Sequence, residues 1–229
     1  MNKEKNTYII IYASIMVILV ALLLAFTSEA LRPQQSKNEA IDKMRQMLAA
    51  LNIESTNKNA ESLYKQTITD AYLVDNKGKK IEGDAFSVEL KAELLKPENE
   101  RQYPVFEASV NGEKKYLLAL RGAGLWGPIW GFISLNEDKN TVFGASFGHE
   151  GETPGLGAEI EKHDFAKQFS GKHIFNNEHS FTSIAIVKPG KTADGKDYVD
   201  GISGGTITSR GVDAMLYESL KFYVPYLTK

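Results

Sequence analysis

Residues Tyr8 to Phe26 form one apolar stretch, in which Ser14 is the only clearly polar member. Nineteen residues form about 28 Å of α-helix, which is close to the roughly 30 Å thickness of a bilayer's hydrocarbon core. A cleaved signal peptide is the alternative, and Ser28-Glu29-Ala30 is a weak small-residue cleavage site. The apolar part of a signal is usually about 7–15 residues long, so the pattern favours an uncleaved transmembrane helix over residues 8–26.

The orientation of this helix is not decided by charge, because two lysines precede it and three basic residues follow it by residue 43. The tail before the helix is very short, and a folded domain follows. Chains of this layout commonly keep the tail inside. We therefore expect residues 1–7 to be cytoplasmic, residues 27–36 to form a linker, and residues 37–229 to form an extracytoplasmic domain.

Helical spacing returns after the predicted linker, which is polar and contains Pro33. Ser36 and Glu39 have the spacing of a capping box, and apolar residues then recur every three or four positions as far as Leu51. A second helical stretch is predicted between Glu54 and Tyr64.

Strand patterns begin at residue 68. Residues 68–74 read as a strand that ends in the turn Asp75-Asn76-Lys77-Gly78. The apolar stretches 105–110 and 116–120 flank Asn111-Gly112, and this dipeptide is the strongest short cue for a β-hairpin.

The remaining pattern completes an α+β chain. A second hairpin is predicted from strands 129–135 and 141–147, joined by a polar loop. A short helix over 159–169 and a buried strand over 184–187 follow. A final helix has one apolar face from Val212 to Leu227, and Pro225 should end or distort it. We predict a single transmembrane helix followed by an antiparallel sheet with flanking helices.

The composition argues against several kinds of ligand and partner. The chain has no cysteine, so disulfides, Cys-ligated zinc and iron–sulfur clusters are excluded. The net charge of -2 does not suggest a nucleic-acid partner. His149 stands beside Glu150, but no second histidine lies at a useful spacing, so we expect no metal site.

The segment from Asp200 to Ser209 precedes the last helix and contains three glycines and four hydroxyl side chains. Glycines let a backbone approach a ligand closely, and a helix N-terminus favours anions, above all phosphate. A plain turn with a helix cap is the other interpretation. The segment is neither a P-loop nor a dinucleotide fingerprint. It fits the nucleophile-elbow pattern Gly-x-Ser-x-Gly, but every histidine lies upstream, which excludes that hydrolase fold.

Asp200-x-x-Ser203-Gly204-Gly205-Thr206-x-Thr208 resembles the flavinylation motif of FMN-binding domains. These domains belong to the sodium-pumping NADH:quinone reductase and to the related Rnf electron-transport complex. The resemblance implies that Thr208 carries FMN as a phosphoester, installed by a flavin transferase that uses FAD. The family usually has alanine where this chain has Gly205.

Two further segments resemble the same family. Gly124-Leu125-Trp126-Gly127 is similar to the Gly-Leu-Trp segment of the reductase's C subunit, and Glu152-Thr153-Pro154-Gly155-Leu156-Gly157 is similar to a loop shared by both complexes. With the predicted anchor and the chain length, the resemblance spans nearly the whole chain.

Roles for the matching residues follow from the resemblance. Ser203, Gly204, Gly205 and Thr206 would cradle the phosphate, and the loop with Glu152, Thr153 and Leu156 would lie against the flavin ring or its ribityl chain. Trp126 would shield the flavin or meet a partner. Lys188 would stabilise flavin anionic states or phosphate. The other interpretations are a structural turn for the loop, a core or surface aromatic for Trp126, and a solvated side chain for Lys188.

These observations together predict a membrane-anchored electron carrier in a Na+-pumping NADH:quinone reductase of the bacterial inner membrane. The chain would supply no catalytic side chain and would bind neither NADH nor quinone itself. Its expected partners are other subunits of the complex, a flavin transferase and the membrane. Two alternatives stay open: the G subunit of an Rnf complex, and an anchored module that binds a phosphate-bearing ligand without redox activity.

Overall fold

The structure, a computed structural model, describes residues 6–229. Most of the tail predicted over residues 1–7 lies outside the described residues. The chain divides into two compact units, with the boundary between Lys43 and Met44, and each unit is described by itself.

The first helix, α1, runs from Asn6 to Ala50. Its most apolar 18-residue window has a mean hydropathy of 3.0, and none of that window is buried within the protein. A helix with an exposed apolar surface of this length fits a single-pass membrane anchor. It is the one helix of the described residues that is long and apolar enough to cross a bilayer.

The structure differs from the sequence prediction at residues 27–36, which are helical and form no break between two helices. Pro33 lies inside α1. A proline removes one backbone hydrogen bond, to the carbonyl four residues earlier, and the neighbours on both sides are mostly strong helix formers that keep the helix continuous. Side-chain bonds at helical spacing flank it, such as Thr27 Oγ1 to the Leu23 carbonyl at 2.8 Å and Gln34 Nε2 to Asn38 Oδ1 at 3.0 Å.

The second unit contains four further helices and eight strands. The helices are α2 (Ala60–Thr67), α3 (Leu90–Leu94), α4 (His163–Ala166) and α5 (Thr206–Leu227); the strands are β1 (Ile68–Val74), β2 (Lys80–Ile81), β3 (Tyr103–Val110), β4 (Glu113–Ala123), β5 (Pro128–Leu135), β6 (Val142–His149), β7 (Ala185–Val187) and β8 (Tyr198–Asp200). Short 3-10 helices occupy Glu98–Glu100, Gly157–Glu161 and Lys167–Phe169.

Six strands form one antiparallel sheet in the order β2-β1-β3-β4-β5-β6. Both predicted hairpins are confirmed as β3–β4 and β5–β6. Asn111 and Gly112 connect the first hairpin with φ of 53° and 83°, the left-handed conformation that a tight two-residue turn requires. The α+β class predicted from the pattern is therefore correct.

Helix α5 packs across strand β4. Its predicted apolar face is buried, and Met215 lies so close to Gly122 that a Cβ on that glycine would be 2.6 Å from Met215 Cβ. Tyr223, fully buried, donates its hydroxyl hydrogen bond to the Pro104 carbonyl at 2.9 Å. At the other end of α5, Gly211 faces the Ala123 carbonyl. The start of α5 is thus held beside the turn that joins β4 to β5.

Three helix predictions differ from the structure in extent. The helix predicted over residues 159–169 is three short pieces. Lys162 has an extended backbone between the first and the second, and α4 passes directly into a 3-10 helix at Lys167. The stretch predicted between Glu54 and Tyr64 is helical only from Ala60, after Asn59 accepts the Thr56 amide at 2.6 Å. Helix α5 begins at Thr206, six residues before the predicted apolar face, and it ends at Leu227, two residues past Pro225, which lies in its last turn.

Candidate functional site

Three segments that are distant in the sequence meet at one end of the second unit. They are the turn 124–127 between β4 and β5, the loop 150–157 after β6, and the loop 201–205 before α5. Contacts between them are close: a Cβ on Gly204 would lie 2.6 Å from Leu156 Cδ2, and one on Gly124 would lie 2.3 Å from Glu152 Oε1. The structure therefore brings together the three segments that the sequence analysis selected.

The glycine loop is fixed at both ends. β7 and β8 pair in parallel, and the Gly201 amide extends this pairing by donating to the Val187 carbonyl at 2.7 Å. The Ile202 amide donates to Ser209 Oγ at 2.9 Å, which ties the loop to the first turn of α5. Gly204 has φ of 77°, a conformation that favours glycine. The conformation of the loop is therefore fixed by hydrogen bonds to β7 and to α5.

Helix α5 begins directly after Gly205. The first amides of a helix have no partner within the helix and point to its N-terminal end, where the helix dipole is positive. Ser203, Gly204 and Thr206 are exposed there, and Gly205 is buried. This end of the helix has the chemistry that binds a phosphate group.

Thr208 lies in the first turn of α5 and points inward. It is only 1% exposed, and its hydroxyl donates a hydrogen bond to Glu152 Oε2 at 2.6 Å. The sequence analysis placed both residues at the site but did not foresee that they form a pair. The two residues are 56 positions apart, and a local pattern carries no sign of such a contact.

Glu152 connects all three segments. Its carboxylate, on the loop after β6, is 4% exposed, accepts the Thr208 hydroxyl, and accepts the Trp126 amide at Oε1 at 2.9 Å. Burial pushes the pKa of Glu152 upward, but hydrogen bonds from Thr208 and from the Trp126 and Leu125 amides outweigh burial, so the pKa lies below its usual value. The group is a charged, satisfied carboxylate at neutral pH.

Two glycines enclose the Glu152–Thr208 pair. A Cβ on Gly124 would be 2.3 Å from Glu152 Oε1, and a Cβ on Gly157 would be 2.3 Å from Glu152 Oε2 and 2.4 Å from Thr208 Oγ1. No side chain larger than hydrogen fits at either position without a shift of the pair. The lack of side chains at these two glycines is what lets the carboxylate and the hydroxyl meet.

Exposed apolar side chains surround this enclosed pair. Leu125 is 46% exposed, Trp126 68%, Leu156 42% and Ile207 55%. Each stands on a segment that contacts Glu152, Thr208 or the glycine loop. An apolar rim beside an anion-binding helix end suits a ligand with a flat aromatic ring and a phosphate. Leu125 belongs to the Gly-Leu-Trp segment quoted above, but neither Leu125 nor Ile207 was given a role from the sequence, because a single apolar residue carries no functional signal of its own.

The remaining predicted residues lie at the edge of the site. Thr153 is exposed, and its carbonyl accepts the Leu156 and Ala158 amides at 3.1 Å, so it shapes the loop. Lys188 is exposed and directly follows Val187, whose carbonyl holds Gly201. Asp200 is held by Gln168, which donates to the Asp200 carbonyl and accepts its amide at 3.0 Å. Gln168 was missed because nothing in its sequence context marks it.

Fold and site together define a membrane-anchored domain with an anion-binding helix end beside an apolar rim. The family model described as FMN-binding domain matches residues 124–221, a range that includes every residue assigned to the site.

Similar proteins show to which family within this class the chain belongs. The C subunit of the Na(+)-translocating NADH-quinone reductase of Vibrio vulnificus is 31% identical, over 84% of this chain and 82% of that protein. Its counterpart from Pseudomonas aeruginosa is 30% identical over 94% of this chain and 92% of that protein. The crystal structure of the C subunit from Parabacteroides distasonis is 54% identical, with a TM-score of 0.82, and covers 87% of this chain and 98% of that one. The chain belongs to the family of C subunits of Na+-translocating NADH-quinone reductases.

Proposed function

We propose that this chain is the FMN-carrying electron-transfer subunit of a membrane-bound Na+-translocating NADH:quinone reductase. The observation that carries the proposal is the coincidence of the FMN-binding match at residues 124–221 with near full-length similarity to the C subunits of such reductases. FMN supplies reversible one- and two-electron chemistry when bound. The partners are the other subunits of that complex. The relatives described above are C subunits of the reductase by name, so neither the G subunit of an Rnf complex nor a phosphate-binding module without redox chemistry is favoured.

The site residues fit this cofactor by their chemistry. The first-turn amides of α5, with the exposed Ser203 and Thr206 hydroxyls, would hold the phosphate at the positive end of the helix dipole. The apolar rim of Leu125, Trp126, Leu156 and Ile207 would cover an isoalloxazine ring. Lys188, at the end of β7, would supply a positive charge toward an anionic flavin or the phosphate.

We further propose that FMN is held covalently, as a phosphoester on Thr208 Oγ1 installed by a flavin transferase from FAD. The support is the match of Asp200 to Thr208 with the flavinylation motif and the place of Thr208 in the first turn of α5. A covalent tether keeps the cofactor on a domain that faces a compartment where free FMN would be diluted. We accordingly propose that α1 anchors the domain on the extracytoplasmic side of the inner membrane.

The attachment is tested on protein made with the transferase, run on a denaturing gel and viewed under ultraviolet light. The wild-type band should fluoresce, and intact mass should show one added FMN. Thr208→Ala should be dark because it lacks the acceptor oxygen, whereas Thr192→Ala, an exposed threonine in a loop outside the site, should fluoresce normally. Covalent flavin on Thr208→Ala would show that the assigned residue is wrong.

A further inference from the structure

The proposed attachment meets an obstacle in the folded chain, because its acceptor oxygen is covered. Phosphoryl transfer requires Thr208 Oγ1 to approach the flavin-side phosphorus of FAD. That residue is 1% exposed, and its hydroxyl is engaged by a carboxylate that is itself 4% exposed. A transferase cannot bring a dinucleotide to an atom enclosed in this way.

Glu152 is the main element of this enclosure. Its Oε2 holds the Thr208 hydroxyl, and its Oε1 is held in turn by the Trp126 amide at 2.9 Å. Gly157 packs against both partners of the hydrogen bond, with space for hydrogen only. Of the ionisable groups nearby, His149 accepts the Glu152 amide at 3.2 Å and lies 3.6 Å from Glu161, and Glu150 lies against Gly127. None of these contacts competes for the Thr208 hydroxyl.

We infer that Glu152 controls flavin attachment by withholding the Thr208 hydroxyl, which must be released from the carboxylate before it can react. The inference rests on the proposed attachment to Thr208. In the reaction, an ester bond forms between Thr208 Oγ1 and the flavin-side phosphorus of FAD, and the phosphoanhydride bond breaks. AMP leaves with the bonding electron pair, and the hydroxyl proton passes to solvent; nothing is oxidised or reduced. After release, Glu152 keeps the Leu125 and Trp126 amides as partners, so the turn 124–127 retains its support.

Glu152→Gln weakens the hold without removing the acceptor for the turn amides. With the amide oxygen on the turn amides, the NH2 group faces Thr208 and accepts no hydrogen bond. The hydroxyl therefore loses its bond to a charged acceptor, which is roughly twice as strong as a neutral hydrogen bond, and should be released more often. We expect the initial rate of covalent flavin incorporation into the full chain, with transferase and FAD, to rise on the order of tenfold. Glu150→Gln removes an exposed carboxylate from the same loop and should leave the rate unchanged.

A second variant reaches the same hydrogen bond from the other side. Gly157→Ala places a methyl group 2.3 Å from Glu152 Oε2 and 2.4 Å from Thr208 Oγ1, which forces them apart, and it should also accelerate incorporation. Ile133→Val, a change in the buried middle of β5, controls for general destabilisation and should not. The wild type offers a further test. When the chain is unfolded in urea and diluted into the reaction, covalent flavin incorporation should begin with a fast phase that is absent when the reaction starts from folded chain.

The outcomes separate the two proposals. A wild-type chain that never gains covalent flavin refutes the attachment, and this inference falls with it. If the wild type is modified at Thr208 but folded Glu152→Gln is modified no faster, the inference alone is refuted. Loss of modification in folded Glu152→Gln also overturns it, because the carboxylate would then activate the hydroxyl. The absence of a fast phase after unfolding overturns it as well.

Discussion

The most unusual residue of the site is a buried carboxylate whose ionised form is satisfied by three hydrogen-bond donors. Burying a charge is costly unless it is hydrogen-bonded, and here the donors outweigh burial. They come from two segments, the turn after β4 and helix α5, so Glu152 joins both of these to its own loop after β6. Its contribution to stability depends on its being ionised.

This dependence predicts how stability changes with pH. Because the folded-state pKa of Glu152 lies below its unfolded value, the contribution is complete above that unfolded value, about 4.3, and is lost as pH falls through the folded pKa. The free energy of unfolding should therefore fall less steeply between about pH 5 and pH 3 in Glu152→Gln than in the wild type. Urea unfolding of the full chain in detergent measures this, and Glu150→Gln should match the wild type. Equal pH dependence in Glu152→Gln would contradict the assigned charge.

Sequence alone predicted the residue types of the site but not their contacts. Three glycines and four hydroxyls around the start of a helix are enough to predict an anion site, and the structure leaves Ser203, Gly204 and Thr206 exposed at that helix end. The orientation of the Thr208 side chain could not be predicted from the sequence. It is set by Glu152, 56 positions earlier, and by the space that Gly157 leaves, neither of which a local pattern contains.

At the scale of elements, helix α5 joins the site to the sheet. Its buried face lies on β4, and its first turns lie against the turn that follows β4. Gly211 makes this approach possible, because a Cβ there would be 2.3 Å from the Ala123 carbonyl oxygen. The helix thus has a glycine at a position where its own helical preference would favour another residue.

Gly211→Ala consequently sets two effects against each other. Alanine is the better helix former by about 1 kcal/mol, but overpacking against a backbone carbonyl costs about 1–3 kcal/mol. We expect a net loss of about 1 kcal/mol in the free energy of unfolding, measured by urea denaturation. Ala214→Gly, at an exposed position of the same helix, calibrates the propensity effect. A gain in stability for Gly211→Ala would show that the helix can move away from β4 at no cost.

Strands were predicted more accurately than helix ends. Alternating or apolar runs with an Asn-Gly turn specify a hairpin locally, and β3 to β6 follow one another in the sheet as they do in the chain. The helix of residues 27–36 was missed because a proline and polar side chains were interpreted as a linker. Pro33 removes one hydrogen bond but does not end α1, because helix formers continue the helix on both sides; Pro225 lies in the last turn of α5, which ends two residues later.

At the scale of the whole molecule, helix α1 contributes to both units. Met47, Leu48, Ala50 and Leu51 are fully buried in the second unit, and Ser134 Oγ donates to the Ala50 carbonyl at 2.5 Å. The residues before Lys43 contain the apolar surface suited to a bilayer. The end of the anchor helix is therefore part of the core of the folded domain.

Two truncations test this division. A chain that begins at Met44 should be soluble without detergent and should retain the stability of the folded domain. A chain that begins at Asn52 loses Met47, Leu48 and Leu51 from the core, each worth about 1.5–3 kcal/mol, and should be less stable by about 4 kcal/mol or more. Thermal unfolding of the two fragments measures the difference. Equal melting temperatures would mean that residues 44–51 are not part of the core.

The order of the elements along the chain has a consequence for biosynthesis. Helix α5 is the last element, while Glu152 stands on a loop that the ribosome completes dozens of residues earlier. The hydrogen bond between them can form only once helix α5 has been synthesised and has docked on β4. A newly made chain therefore passes through an interval, closed by the docking of α5, in which Glu152 does not yet cover the Thr208 oxygen.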